Sequence, residues 1–569
     1  MTVASPTDRN MESALSDLRS NRDEWSILAL PERIRLLDSV VRRTDFAAGR
    51  WVEASARAKG FAGDSNPAGE EWLAGPYGVL VMAGALKRSL ARIERGRDTF
   101  RRRRVSAGPD GRAVVRVFPV EWWEPLLLSG YRLDVSMQPG ITPANLTEHT
   151  AHFYRNPAPG GRVCAVLGAG NIGSIPPLDV LHKLYVEGQV VALKLNPVND
   201  FLGPIYSEIF QDFIDRGFLR LLYGGNDTGS ALVNRSEVDT VHITGSARSY
   251  YEVVYGSGPE GSRRRRLNQP ALHKPITSEL GGVSPFIVVP GPWSAADLRY
   301  QAEHFVTQKV MNGGFNCVAA QVLLMAEDWS LADRFVEQIH TVIEQQPARE
   351  SYYPGSMDRR VRITKHPSAI TVGLSGVGHI RDLDPGQGHA AFEEEFFAAA
   401  FASTRLPFSD PGDFLDAAVD FSNERLEGSL GAVVIAHPRT IASLGPRFEK
   451  SIARLRFGAV GVNVWTAFNF LQPRSSWGAF PGHTPVDIGS GMGSVHNALL
   501  FDSPEKSVAR GPFRPLGRSF LAGEFHVSPR PPWFVTSRTG LRTARLFTRF
   551  LTDHSPRRLP GIFRSALRS

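Results

Sequence analysis

The sequence predicts an α/β protein built around parallel sheets. From residue 162 onward, short apolar strand-like runs alternate with amphipathic helix-like segments, which is the pattern of parallel strands joined by crossover helices. Glycine-rich turns follow several of these runs, as in VLGAGNIG (166–173) and LLYGG (221–225). The length of 569 residues exceeds what one hydrophobic core supports, so two or three domains are expected.

The predicted elements follow in order along the chain. Residues 11–60 and 78–95 place apolar residues at helical spacing, and 109–123 indicates a hairpin around an Asp-Gly turn. Four strand–helix pairs come next: RVCAVL and PPLDVLHKLYVEG, QVVALKL and GPIYSEIFQDFIDRG, FLRLLYGG and TGSALVNRS, VDTVHITG and SARSYYEVVYG. After the Arg-rich segment 257–269, a second α/β stretch holds the strand candidates SPFIVV, QVLLMA and GAVVIA. The last 59 residues are rich in Pro and Arg and are expected to be partly disordered.

Composition narrows the functional class. Apolar residues make up 42% of the chain and charged residues 21%, as in an ordinary globular protein. We see no apolar run of transmembrane length and no secretory signal, and two cysteines make a disulfide framework improbable, so a cytoplasmic location is expected. The net charge of +8 belongs to residues 511–569, which hold eleven arginines against two acids. The remaining body is close to neutral, so nucleic acid is not an expected partner.

Gly168, Gly170 and Gly173 form the pattern G-x-G-x-x-G directly after a strand-like run. A dinucleotide site of that type also needs an acid about 20 residues later, at the end of the second strand. Lys194 and its neighbours occupy that place here. The pattern therefore does not predict a phosphate cradle, and Asn171 becomes the informative residue of the loop.

Two further segments carry residues suited to acyl transfer. SELGGVSPFIVV places Glu279 before paired glycines and a buried strand, and MNGGFNC places Cys317 in a glycine-containing loop. A thiol nucleophile beside a carboxylate base is a recognised pair for such chemistry. Taken singly, a cysteine is more often a small buried apolar residue, and a glutamate is usually solvated.

These segments stand in the same order as motifs of the aldehyde dehydrogenase superfamily, which the chain resembles as a divergent member from about residue 155 to 470. Asn171 and Lys194 are separated by 23 positions, the spacing of the family's Asn and ribose-binding Lys. LLYGGNDTGSAL, HITGSARS, SELGGVSP, GGFNC, EEEFFAAAF and GVNVW then resemble successive family motifs.

The resemblance implies an aldehyde dehydrogenase-like fold. It has a Rossmann-type NAD(P)-binding domain, an α/β catalytic domain and a β-arm for oligomerisation. The expected division is 1–282 for the N-terminal helices and cofactor domain, with the arm near 140–155, and 283–470 for the catalytic domain. Residues 471–510 would return to cofactor and oligomerisation elements, and 511–569 would form a basic tail. HTAHFYRNP resembles the arm's return strand, so a homodimer or homotetramer is expected.

The resemblance also implies the chemistry. Cys317 would attack an aldehyde, Asn171 would help to bind the oxyanion, and Glu279 would activate water to hydrolyse the thioester. NAD or NADP would be the cofactor, and no metal site is expected. The residues expected to bind the cofactor are Lys194, Gly225, Gly229, Gly245, Ser246, Glu395 and Phe397.

Departures from the family pattern leave alternatives open. Pro197 stands where NAD-preferring members usually have Glu, so NAD and NADP are both possible. SRRRRLN lengthens the segment between Ser246 and Glu279, and Ala398 replaces an expected glycine. Transfer of the acyl group to coenzyme A, or the reverse reaction as an acyl-CoA reductase, is one alternative, although Glu279 disfavours it. A weakly catalytic scaffold recruited through its basic tail is another.

The tail contains a candidate amphipathic helix. In residues 537–554, Leu541, Ala544, Phe547 and Leu551 share one helical face, and arginines occupy the others. Such a segment either contacts an anionic membrane surface as a helix or packs, as a helix or an extended segment, on the protein body or on a neighbouring subunit. Apolar aldehydes would suit the first case, and WTAFNFLQP (465–473) either lines an apolar pocket or belongs to the core.

Overall fold

The computed structural model describes residues 6–156, 160–515 and 528–569, and side chains from residue 9. Helices dominate the N-terminal part, as the periodicity predicts: α1 (Pro6–Ile27), α2 (Leu30–Ala58), α3 (Ala68–Trp72) and α4 (Gly78–Glu94), with a π-helical turn at Leu73–Tyr77. Apolar faces of α1, α2 and α4 pack into one core with the strands that follow. Burial of these faces stabilises helices whose isolated propensity would be marginal.

A six-stranded sheet begins at residue 162. Its strands are β4 (Arg162–Leu167), β5 (Gln189–Lys194), β6 (Leu219–Leu222), β7 (Thr240–Gly245), β8 (Ile276–Leu280) and β17 (Gly491–Met492), in the order β17-β8-β7-β4-β5-β6. All neighbours are parallel except β17 and β8. The intervening helices are α7 (Ile175–Tyr185), α8 (Gly203–Ile209), α9 (Gln211–Asp215), α10 (Asn226–Asn234), α11 (Ala247–Tyr255) and α12 (Gly258–Arg266), with a 3₁₀ turn at Asp200–Leu202. The predicted strand–helix alternation is confirmed.

A larger sheet of eleven strands follows, in the order β1-β2-β3-β19-β15-β14-β9-β10-β13-β12-β11. Its strands are β1 (Val105–Ala107), β2 (Ala113–Phe118), β3 (Arg132–Met137), β9 (Ser284–Val288), β10 (Ala320–Ala326), β11 (Ala369–Val372), β12 (Val377–Leu383), β13 (Ala400–Leu406), β14 (Gly431–Ile435), β15 (Ala459–Val462) and β19 (Pro504–Arg510). Its central strands β9, β10, β14 and β15 are fully buried, so they are near-continuously apolar. β8 ends at Leu280 and β9 begins at Ser284, so the chain changes sheets beside the predicted boundary at 282.

Helices cover the larger sheet and connect its strands. They are α13 (Ala295–Val310), α14 (Ala332–Glu344), α15 (Ser356–Thr364), α16 (Ala390–Glu393), α17 (Pro411–Arg425), α18 (Pro438–Leu444), α19 (Pro446–Arg454) and α20 (Ala467–Phe470). Two short helices, α5 (Glu124–Leu127) and α6 (His152–Arg155), and a 3₁₀ turn at Arg102–Arg104 lie next in sequence to the antiparallel strands β1, β2 and β3. Another 3₁₀ turn, Met311–Gly314, follows α13 and precedes β10. A small separate ladder pairs β16 (Ser476–Trp477) with β18 (Val495–His496).

The β-arm expected near 140–155 is wrong in its placement. Residues 142–149 form turns, closed by the Asn145 side chain, which accepts from the backbone N–H of Thr142 at 2.7 Å. A single bridge joins Thr150 to Phe501, and the segment that resembles a return strand forms α6 instead. The antiparallel strands of this region are β2 and β3, and β19 joins β3 to β15 of the same chain.

The C-terminal tail is also more ordered than its composition predicts. Residues 528–569 hold α21 (Gly540–Asp553), a 3₁₀ turn at Pro556–Arg558 and α22 (Leu559–Ala566), whereas 516–527 lie outside the described residues. The apolar face of α21 packs into a core with α3, α4 and β2, so Phe547 meets Tyr77 at 5.4 Å between ring centroids. Of the alternatives, packing on the body is the one the structure shows.

Candidate active site

The predicted site residues collect where strands of the six-stranded sheet end. Lys194 is the last residue of β5, Gly245 is the last residue of β7, and Glu279 is the penultimate residue of β8. These parallel strands end at the same edge of the sheet. Ligands of open α/β sheets bind outside this carboxyl edge. The loop of Cys317 approaches from the other sheet, because it connects α13 to β10.

Cys317 and Glu279 are brought together, as the sequence predicts. The Glu279 side chain is 3% exposed and interacts with the Cys317 thiol and the Trp477 indole. Burial, followed by the negative charge of Asp179, raises the pKa of Glu279 to about 8. Burial also raises the pKa of Cys317 well above its usual value, and the Glu279 charge adds to that rise. At rest, the pair is therefore a neutral thiol beside a carboxyl group that titrates near neutral pH.

Asn171 reaches the same loop from the other side. Its side-chain amide donates to the backbone carbonyl of Phe315 at 2.9 Å, two residues before Cys317. The Asn171 carbonyl accepts from the Asn312 amide at 3.1 Å, which ties this turn to the nucleophile loop. Positive φ angles at Asn312 and Gly313 let the loop turn sharply here.

The glycines around Asn171 serve this approach and pack against the protein itself. A Cβ at Gly170 would lie 2.7 Å from the Asn196 side chain, and one at Gly173 would lie 2.9 Å from Trp51 Nε1. These contacts are tighter than a side chain tolerates, so the protein's own packing accounts for both glycines. This agrees with the prediction that G-x-G-x-x-G is not a phosphate cradle here.

Two other glycines and a serine border an open surface at the sheet edge. A Cβ at Gly225 would meet no atom within 4 Å, and one at Gly245 only Ile243 at 3.8 Å. Neither has a positive φ angle, so neither packing nor backbone strain requires glycine at these positions. Ser246 caps α11 by accepting from the Ser249 backbone N–H at 3.1 Å. Gly229, inside α10, has ordinary contact with Leu167.

Lys194, Glu395 and Phe397 complete the set of residues that the sequence predicts to bind the cofactor. Lys194 is buried, and this burial lowers its pKa, an effect that Asp200 opposes. The Glu395 carboxylate packs so closely on Gly281 that a Cβ there would overlap it. Burial raises the pKa of Glu395 to about 8, and its Oε1 has no hydrogen-bond partner among the described residues. The Phe397 ring lies 5.8 Å from Phe315 in the nucleophile loop.

Comparison with known proteins finds one family throughout. Residues 136–363, which hold Asn171, Glu279 and Cys317, match the model of the aldehyde dehydrogenase family. This part of the chain is similar to aldehyde dehydrogenases. N-succinylglutamate 5-semialdehyde dehydrogenase of Sphingopyxis alaskensis is 28% identical over 176 residues, which are 31% of this chain and 33% of that protein. The match thus spans about a third of this curated relative.

Solved structures share the fold over most of the chain. A mutant of aldehyde dehydrogenase C from Pseudomonas syringae, in complex with NAD+ and octanal, has a TM-score of 0.57 and 16% identity, covering 90% of this chain and 91% of that one. Glyceraldehyde-3-phosphate dehydrogenase from Methanocaldococcus jannaschii, in complex with NADP, has a TM-score of 0.58 and 14% identity, covering 90% and 96%. At these identities the likeness establishes the fold, and the predicted α/β class is confirmed.

An apolar cavity lies beside Cys317. It has a volume of about 70 Å³, and no charged side chain occurs among the described residues that line it. The sequence left WTAFNFLQP either in an apolar pocket or in the core, and the structure shows both, because Trp465 and Phe468 line the cavity and are also buried in the core. The walls are Leu73, Ala74, Ile172, Ile175, Met311, Asn316, Cys317, Val318, Trp465, Ala467, Phe468, Phe470, Leu471, Trp477 and Trp533.

Sequence reasoning missed two charged residues beside the candidate active site. Asp179 is 1% exposed on α7, accepts from Thr244 Oγ1 at 2.9 Å and raises the pKa of Glu279. Lys309 is buried on α13 near Glu395, and burial lowers its pKa to about 7. The available signal was an ionisable residue within a largely apolar stretch, in the predicted helix PPLDVLHKLY and in HFVTQKV, for which no element was predicted.

The remaining observations concern membranes and metals. Among the described residues, no helix combines the length and apolar character that a bilayer span requires. The same residues contain no cluster of three or more His, Cys, Asp or Glu side chains placed to bind a metal ion.

Proposed function

We propose that the protein oxidises an aldehyde to a carboxylate with NAD or NADP, using Cys317 as the nucleophile and Glu279 as the base. The observation that carries the proposal is the buried Glu279 carboxyl in contact with the Cys317 thiol, at the floor of an apolar cavity. A general base works best when its pKa lies near the working pH, and the pKa of about 8 meets that condition.

The first step is attack on the aldehyde carbon. A carbon–sulfur bond forms while Glu279 takes the thiol proton, because the raised pKa of Cys317 leaves little thiolate at rest. The aldehyde oxygen gains negative charge and needs donors at the place where that charge develops. Asn171 uses one amide hydrogen on Phe315, and its second hydrogen, with the Cys317 backbone N–H, supplies these donors.

The residues of the cleft fit a dinucleotide cofactor. Gly225 and Gly245 leave space that a Cβ would fill, and Glu395 Oε1 lacks a partner that a ribose hydroxyl would supply. Lys194 would hold the second ribose, Ser246 the pyrophosphate near the N-terminus of α11, and Phe397 the nicotinamide ring. When bound, NAD or NADP supplies the hydride acceptor that turns the first adduct into a thioester.

Release of the product is assigned to Glu279. Glu279 first releases to solvent the proton that it took from the thiol. As a carboxylate it then takes a proton from water, the resulting hydroxide attacks the thioester carbon, and the carbon–sulfur bond breaks to release the carboxylic acid and the Cys317 thiolate. Transfer of the acyl group to coenzyme A is the competing route. Retention of a buried carboxyl beside the sulfur favours hydrolysis.

The test combines an aldehyde panel with variants of both cysteines. Aldehydes are mixed with NAD or NADP, with and without coenzyme A, while absorbance of the reduced cofactor is followed. Cys317→Ala should abolish turnover. Cys164→Ala is the matched control, because Cys164 is buried in β4 with its pKa raised to about 11, and it should keep the activity. Equal activity of both variants contradicts the mechanism, and turnover that depends on coenzyme A assigns the competing route.

The cellular location, the oligomeric state and membrane contact of the protein are also part of this proposal. A reduced Cys317 thiol requires a reducing compartment, which fits the expected cytoplasmic location. A homodimer or homotetramer is expected and is tested by light scattering. Because the apolar face of α21 is covered, membrane contact of the tail would rely on exposed arginines such as Arg542 and Arg545. Binding to anionic vesicles that persists after removal of residues 511–569 contradicts tail-mediated contact.

A further inference from the structure

The C-terminal segment, outside the match to the aldehyde dehydrogenase family, is fastened to the helix that leads to the nucleophile. Arg530 donates to both oxygens of the Glu303 carboxylate on α13, at 2.6 and 2.9 Å. Thr536 Oγ1 donates to the same carboxylate at 3.0 Å. The Val535 backbone N–H donates to Thr307 Oγ1 at 3.2 Å, one turn further along α13. Because α13 ends directly before the Cys317 loop, this segment lies against the structural support of the nucleophile.

A second set of contacts holds the other end of the segment. Asn66 Nδ2 donates to the Ser537 carbonyl at 2.6 Å, and Asn66 Oδ1 accepts from the Leu541 N–H at 3.2 Å. Gly69 on α3 allows the start of α21 to come close, since a Cβ there would lie 2.8 Å from the Leu541 nitrogen. The segment between Arg530 and Leu541 is therefore fixed to the body at both ends.

Trp533 lies between these two attachments. Pro531 and Pro532 precede it and restrict its backbone approach. Its ring lies 6.0 Å from Tyr131 and 6.4 Å from Phe468, measured between centroids, and Phe468 belongs to the wall of the Cys317 cavity. Close aromatic neighbours and a stiff backbone hold the indole in one position.

The indole of Trp533 separates two apolar spaces. On one side is the cavity of about 70 Å³ that contains Cys317. On the other is a smaller cavity of about 30 Å³, lined by residues that include Leu127, Leu128, Phe547 and Ile562. Trp533 contributes to the wall of both. The tail thus supplies the partition at which the nucleophile's cavity ends.

We propose that Trp533 limits the length of the substrate, which is an uncharged apolar aldehyde whose chain extends from Cys317 to the indole. This inference rests on the proposed function and names its substrate class. An apolar chain gains by leaving water for this cavity, and a chain too long for it meets the ring of Trp533. A substrate with carboxylates, such as the name of the Sphingopyxis alaskensis relative denotes, would find no charged partner among the described residues of the wall.

Turnover of a homologous series tests the inference. Unbranched aldehydes from propanal to dodecanal are compared in the wild type, Trp533→Ala and Trp533→Phe. In the wild type, kcat/KM should rise about fourfold with each added methylene, the gain for burying one, and then fall at a limiting length. Trp533→Ala joins the two cavities and should move that limit to longer chains, with Trp533→Phe between the two. An aldehyde of equal length that ends in a carboxylate should be a poor substrate for all three.

The matched control is Trp122→Ala. The Trp122 ring also packs on the tail, 6.5 Å from Phe550, but Trp122 is half exposed and is not among the described residues that line either cavity. Trp122→Ala should keep the wild-type limit. An unchanged limit in Trp533→Ala, or an equal shift in Trp122→Ala, overturns the proposal.

A second readout does not depend on aldehyde oxidation. Alkyl methanethiosulfonates of increasing chain length label a thiol by forming a mixed disulfide, with loss of methanesulfinate and of the thiol proton. The ratio of long-chain to methyl labelling at Cys317, measured by mass spectrometry, cancels differences in thiolate fraction. The ratio should rise at least about tenfold in Trp533→Ala for reagents beyond the wild-type limit, since two or more methylenes gain burial. If no aldehyde is oxidised, the proposed function fails, and this ratio alone supports or overturns the role of Trp533.

Discussion

Replacement of Glu279 by glutamine removes the proposed base and leaves the rest of the site in place. Glutamine has nearly the same shape, so the buried position keeps its volume. At about 1.36 kcal/mol per unit, the rise in pKa from 4.5 to about 8 means that ionising Glu279 costs about 5 kcal/mol more in the folded protein than in the unfolded chain. The wild type should lose this amount of stability as the pH rises between these two values, because there the folded state holds more protons than the unfolded state.

Glu279→Gln removes that titration. Relative to the wild type, the variant should therefore become more stable by about 5 kcal/mol between pH 4 and pH 9, as measured by urea unfolding across that range. The catalytic consequence is measured by stopped-flow absorbance above pH 8. Loss of the nearby negative charge favours the Cys317 thiolate, so a burst of reduced cofactor near one equivalent per thiol should remain. The burst should be slower than in the wild type, because Glu279 no longer takes the thiol proton. Steady turnover should fall about 10²–10⁴-fold, the usual contribution of general base catalysis.

Two results would refute the reasoning. If the free energies of unfolding of the wild type and of Glu279→Gln changed with pH in the same way, the pKa of the Glu279 carboxyl would not be raised. Steady turnover within about threefold of the wild type would show that hydrolysis uses another base, since a positioned base contributes far more than this. Cys317→Ala, which should give neither burst nor turnover, controls for cofactor reduction elsewhere.

Three further changes test the surroundings of the site. Asp179→Asn removes a neighbouring negative charge and should lower the pKa of Glu279. The rising limb of the pH–kcat profile should then move to lower pH by about one unit. An unchanged position of that limb contradicts the role of Asp179. Asn171→Ala should lower kcat about 10²–10³-fold through loss of an oxyanion donor, with little change in the thermal midpoint, and normal turnover would exclude that role. Arg530→Met leaves the Glu303 carboxylate without its paired donors and should cost about 2 kcal/mol in urea unfolding, unlike Arg542→Met on the exposed face of α21.

The linear order of motifs was enough to predict that Glu279 and Cys317, the proposed catalytic pair, lie in contact. Glu279 and Cys317 belong to separate sheets, yet each lies in a short segment whose glycines, strand and spacing constrain its local conformation. Asn171 and Lys194 follow the same logic, because one strand–helix–strand unit fixes the distance between them. The sequence pattern therefore predicts those residues whose positions are set within one short segment or one strand–helix–strand unit.

Failures of prediction occurred where a segment's partner lies far away in the chain. The arm region forms turns and a short helix, and β19 rather than residues 140–155 joins β3, because strand pairing is set across hundreds of residues. The tail helix is a different case, because its periodicity fits both a membrane-surface helix and a helix packed on protein, and the sequence left both open. The structure shows its apolar face buried against α3 and α4.

The sequence by itself determined the fold class, and it also named the proposed nucleophile, the proposed base and the strand ends at which we propose the cofactor binds. Only the tertiary structure decided how that base is tuned and how the cavity ends. Asp179 acts on Glu279 through space, across two elements that meet only when the sheet forms. Trp533 reaches the cavity of Cys317 because contacts with α3 and α13 fix the tail on both sides. Burial and electrostatic interaction depend on distance in space, and linear order does not encode that distance.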